Sequence, residues 1–239
     1  MKWGLLGLGL LTLLACGGRK EAPPPVAELV SSAHYTVSLE DGLPRQMAQP
    51  ILDRLEGEHE RITASLGITP DASVTVRVWR DERAFLAHME REIGTRFPGA
   101  GGYVTGPTEA RVLHQAHAPQ VALHECVHAH SLRSNPRFGN HPRWLWEAVA
   151  VFEAGEFIDP RTLPYLMADQ FPTLQDLNAL PGAEGRKTYE VGWLLAAFIR
   201  DRWGLQAYRD LIRTSGDLSG VLALTESGFH LEWKSWVKA

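Results

Sequence analysis

The string His124-Glu125-Cys126-Val127-His128 holds residue types that can bind a metal ion and move a proton beside it. On a helix, positions i and i+4 lie about 40° apart around the axis and about 6 Å along it, so both imidazoles can reach one ion. Glu125 lies about 100° round from His124, too far to join that pair easily but well placed to take a proton from water at the ion. Val121, Ala122, Cys126, Val127 and Ala129 occupy the remaining sides, the pattern of a helix buried on several faces. Buried imidazoles and carboxylates are costly without partners, and a metal supplies one. The plainer alternative is surface histidines on an ordinary amphipathic helix. His130 points off the metal-facing side, and Cys126 is aimed away as a small buried hydrophobe.

A catalytic zinc site takes three protein ligands and leaves a position for water, so a third ligand must come from elsewhere. The extended metzincin pattern needs Gly at 131 and His at 134, where this chain has Ser131 and Ser134. Glu147 follows His128 after 18 intervening residues, within Pro142-Arg143-Trp144-Leu145-Trp146-Glu147-Ala148. The turn-rich stretch 133–141 lets a second helix return beside the first. Glu153 competes, but it falls about 240° round that helix from Glu147 and faces away. Asp159 lies beyond the expected helix end. His114 and His117 have ligand spacing but sit in or beside a loop, and read as surface imidazoles.

With Glu147 at this spacing, the motif resembles the gluzincins, the thermolysin-like clan of metallopeptidases. The flanking P-x-W-L-x-E-x-x-A is similar to a widespread bacterial branch of that clan, with Ala148 where the branch often has Gly. The resemblance covers about residues 34–239. It implies a zincin-like fold, a Zn2+ cofactor held by His124, His128 and Glu147, and hydrolysis of a peptide or protein substrate with Glu125 as general base. Tyr189, opening Tyr189-Glu190-Val191-Gly192-Trp193, resembles the oxyanion-steadying Tyr of the branch; a core aromatic with its hydroxyl at the surface is the plain reading, and Tyr103 is a rival. The segment Arg111 to Gln115 is expected, by the same resemblance, to be the edge strand along which a peptide is laid. Two other classes stand beside this one: a lipid-anchored binding or assembly factor with the fold but little catalysis, and a structural zinc site, which four His or Cys ligands would close.

The elements that must position these residues follow from hydrophobic periodicity. Strands are expected at 34–39 and 73–79, the latter the alternating SVTVRVW, and shorter ones at 101–105 and 111–115. Helices are expected at 46–66, stopped by Gly67, and at 81–92, 119–132, 142–157 and 186–203, the last closed by Gly204. Pro142 suits a first helical turn. Shorter helices are expected at 205–214, 218–226 and 230–238. The order is an α+β plan: a mixed sheet-and-helix subdomain (34–132), then a mainly helical one (133–239), with the metal-site helix between.

At 239 residues the chain can bury one sizeable core. The mild net charge of −4 gives no reason to expect nucleic acid, and no run of Lys and Arg points to a local basic patch. Residues 1–15 have a short basic start and an apolar Leu/Gly stretch too short to span a bilayer. The ending Leu13-Leu14-Ala15-Cys16 resembles the lipobox of bacterial lipoproteins, with Leu14 where a smaller residue is more usual. It implies a lipid on Cys16, a membrane anchor and a place in the bacterial cell envelope; an ordinary secretory signal or an uncut anchor is the alternative. Residues 16–33, with Pro23-Pro24-Pro25, read as a lipidated cysteine and tether. Cys126 is then the one cysteine left to react, and no disulfide is expected.

Overall fold

The computed structural model describes residues 27–71, 73–179 and 183–239. The expected leader, Cys16 and most of the expected tether lie outside these residues. The chain is α+β, with a mixed sheet of five strands in the order β1-β2-β3-β5-β4. These are β1 Glu28–Ser31, β2 Tyr35–Leu39, β3 Val74–Trp79, β4 Gly102–Gly106 and β5 Glu109–Leu113. β2, β3 and β5 run parallel, while β1 and β4 pair antiparallel at the two edges. β1 falls within the stretch expected to be tether; four residues with one inward apolar side chain, Val30, carry too little pattern to announce a strand.

The edge next to the site also differs from expectation. β5, which contains Arg111, is paired on both sides, and the strand with a free side is β4. The two are joined by a tight turn whose register slips between Val104 and Gly106. Gly-Tyr-Val-Thr-Gly is a weak strand pattern, and which member of such a hairpin faces outward is a matter of long-range pairing.

Alternation sorts the sheet's two faces. Val74, Val76 and Val78 of β3 and Ala110 and Val112 of β5 enter the main core, against α1 (Ala48–Leu66) and α3 (Ala118–Ser134). Trp79 and Leu113 face the other way and pack with Phe85 and Met89 of α2 (Glu82–Ile93) in a smaller cluster. α1 ends where expected, with Gly67 left-handed at φ 66°, and α2 begins at an Asp81 cap on Ala84 N.

α3 is buried on every side from Ala122 to Leu132. α4 (Arg143–Glu153) returns beside it and is nearly as buried; Pro142 is its N-cap residue rather than its first helical one. Short helices α5 (Pro164–Met167) and α6 (Leu174–Leu177) follow, then α7 (Ala183–Arg213), which changes direction at Gly204 (φ 78°) and so contains both helices expected at 186–203 and 205–214. α8 (Leu218–Leu222) and α9 (Glu226–Lys238) finish the chain. Among the described residues no helix is long and apolar enough to cross a membrane.

One buried carboxylate ties these layers together. Glu153 receives Arg61 at 2.6 Å and Ser65 Oγ at 2.5 Å from α1, and Tyr208 Oη at 3.2 Å from α7. It lies on the side of α4 away from the histidines, as the helical angle requires. A fully buried charge is tolerable only with such a set of donors.

Candidate metal centre

α3 and α4 bring His124, His128 and Glu147 together, with one donor atom of each within 4.8 Å of the others. Glu147 Oε2 lies 3.4 Å from Nε2 of His124 and 3.4 Å from Nε2 of His128. All three side chains are buried, and Oε2 has no hydrogen-bond donor. Two imidazole nitrogens converging on an orphaned, buried carboxylate oxygen are a donor set suited to a metal cation. The observed cluster is therefore one that can hold a metal ion.

The two histidines are supported differently. His124 Nδ1 pairs with Glu156 Oε2 at 3.1 Å, and Glu156 is itself held by Gln120 Nε2 at 3.0 Å. His128 has no such partner: its Nδ1 is buried without a hydrogen bond, and its ring stacks on Trp146 at 4.0 Å and 9°. The electrostatics follow. Burial opposes the charge on His124, but Glu147 and Glu156 on its two sides overcome this and hold its pKa well above the ordinary value. Burial dominates at His128 and pushes it down to about 4. Glu147 is held below the usual carboxylate range, because the two imidazoles outweigh its burial.

Glu125 is buried beside the cluster, and burial pushes its carboxyl up to about 8. A positive charge close by favours the ionised form. Its seat is made by β4. A Cβ on Gly102 would stand 2.6 Å from Glu125 Cγ and 2.9 Å from the Arg111 carbonyl oxygen, so only glycine fits there. A face of the edge strand β4 thus packs directly on the candidate base.

Tyr189, on α7, does reach the centre. The residue is 38% exposed, yet its hydroxyl points inward, the reverse of a core aromatic with a surface hydroxyl. The hydroxyl donates to Glu147 Oε1 at 3.1 Å and accepts from Arg143 Nη2 at 3.2 Å. α7 comes this close because Gly192 packs on α4: a Cβ there would be 3.2 Å from Ala148 Cα. Tyr103 does not reach the centre. It faces the α2 side of the sheet, where its hydroxyl bonds His88 Nδ1 at 2.7 Å.

The other candidates fall away from the site. Asp159 pairs with Arg161, and His117 is an exposed residue at the start of α3. His130 belongs to a separate buried network, with its Nε2 3.1 Å from Tyr35 Oη, which is also 2.9 Å from His59 Nδ1. Sequence reasoning missed Arg143 and Glu156. Arg143 stands four residues before Glu147, a helical spacing that could have flagged it. Glu156 follows the left-handed turn at Gly155, and no local pattern aims it at His124. No known protein-family model matches this chain, and neither does any curated protein.

Proposed function

We propose that this protein is a zinc-dependent peptidase of gluzincin type on a zincin-like fold. The carrying observation is the convergence of His124, His128 and Glu147 donor atoms within 4.8 Å, with the buried Glu125 carboxylate alongside. Two nitrogens and one carboxylate oxygen form the three-ligand set of catalytic zinc sites, and structural sites are usually closed by four Cys or His. Zinc held there would lower the pKa of water toward neutrality and polarise a carbonyl.

The chain's own residues supply the rest. Glu125 takes a proton from the attacking water and returns it to the leaving amine. β4, an edge strand packed on Glu125, takes the extended substrate as an added strand, a role that passes to it from the interior β5. Tyr189 brings a hydroxyl to the centre for a developing oxyanion, and it must release Glu147 Oε1 to serve there. We further propose export to the bacterial cell envelope, with a lipid on Cys16 as the membrane anchor.

Metal analysis of the purified protein, followed by digestion of a broad peptide library, tests the reading. Stoichiometric zinc and cleavage are expected, and Glu125→Gln should keep the zinc and abolish turnover. Full activity in that variant would remove Glu125 from the chemistry. Zinc without any cleavage would favour a binding or assembly role.

A further inference from the structure

The two oxygens of Glu147 have different surroundings. Oε2 faces the two histidine nitrogens and has no donor. Oε1 receives Arg143 Nη1 at 2.9 Å and the Tyr189 hydroxyl at 3.1 Å. Arg143 Nη2 reaches the Tyr189 oxygen at 3.2 Å, which closes a ring of three side chains around Oε1. Arg143 is 5% exposed and lies one helical turn before Glu147 on α4, so its guanidinium cannot be satisfied by solvent.

We propose that Arg143 is a positioning residue that reserves Oε1 for the protein, so that Glu147 meets the metal through Oε2 alone, with Tyr189 as a second, releasable donor. The inference rests on the metal reading above. The last torsion of a glutamate is broad, and a lone carboxylate can turn either or both oxygens to a cation. Two donors on one oxygen remove that freedom. The guanidinium fork is suited to this, because one nitrogen serves Glu147 while the other serves Tyr189; a lysine ammonium is a compact point charge that lacks that rigid fork. Tyr189 has a single proton and serves one acceptor at a time, so Arg143 is the donor that stays when the tyrosine turns elsewhere. The arrangement sets geometry against raw attraction, since Arg143 also places a positive charge behind the ligand.

The test is zinc affinity by chelator competition on the purified protein, with cobalt(II) absorption as a report of coordination. Arg143→Met should bind zinc about 10- to 100-fold more weakly, the usual cost of removing a group that orients a ligand. Its cobalt spectrum should shift as the second oxygen joins the ion. Tyr189→Phe should weaken zinc less than Arg143→Met. Arg143→Lys keeps the charge and guards against a folding failure in the methionine variant; it too should bind more weakly than the unmutated chain. Equal or tighter zinc binding with an unchanged cobalt spectrum, in either folded Arg143 variant, would overturn the proposal. Absence of saturable zinc binding by the unmutated chain would overturn the metal reading beneath it. Glu147→Ala marks the loss that a missing ligand produces.

Discussion

His124 and His128 of the candidate metal centre differ in what stands behind each imidazole. Glu156 fixes the ring of His124 through Nδ1, whereas His128 is held by the face of Trp146. A carboxylate on the far nitrogen sets the tautomer and raises the basicity of the ligand. Glu156→Gln should therefore weaken zinc binding about tenfold or more, measurable by chelator competition. The effect should be independent of the Arg143 variants, because Glu156 acts on His124 and Arg143 on Glu147. A double variant whose affinity loss differs greatly from the product of the single losses would show that the two supports are coupled.

At the scale of elements, two glycines decide how closely the backbone approaches the site. Gly192 lets α7 lie against Ala148 of α4, one turn from Tyr189. Gly192→Val inserts a branched side chain into that contact and should cost about 1–3 kcal/mol of stability in chemical denaturation. It should also carry Tyr189 away from Glu147. Gly102 has the corresponding role between β4 and Glu125. Gly102→Ala forces Glu125 or the strand to move, and a misplacement of about 1 Å can cost about 100-fold in rate. Its expected signature is retained zinc with a large fall in kcat, and an unchanged kcat would show that the carboxylate has room to relocate.

For the whole molecule, the buried network behind α3 makes stability depend on pH. His130 is fully buried, with its Nε2 on Tyr35 Oη, and burial pushes its pKa down to about 3. The unfolded chain therefore binds a proton that the folded chain refuses between about pH 6.5 and 3. Stability contributed by the neutral imidazole is fully present above about pH 6.5 and falls as pH drops below it. The loss approaches about 2 kcal/mol by pH 5. Unfolding followed at pH 7.5 and pH 5 in the presence of a chelator should show this loss as a difference between the unmutated chain and His130→Asn. Acidification should cost the unmutated chain more, or stabilise it less, than it does His130→Asn, whatever that change does to stability at neutral pH. His128, pushed down to about 4, adds to the acid loss in the metal-free protein, while Glu125, pushed up to about 8, and the raised His124 oppose it; all three are common to both chains.

The residues themselves determined much of this protein. The i, i+4 spacing of His124 and His128, the place of Glu125 beside them and the return of a second helix with Glu147 follow from helix geometry and loop length. The α+β order, the strand 74–79 and the helix ended by Gly67 are local patterns, legible because side-chain periodicity and glycine conformation act over a few residues. Tertiary structure alone decided the remainder. It put β4 rather than β5 at the free edge, enlisted Glu28–Ser31 as a strand, turned the Tyr189 hydroxyl inward and set Glu156 on His124. Each of these depends on which distant segments pack together. Pairing across a sheet and close approach between helices are settled by the whole core and leave little trace in any short stretch of chain.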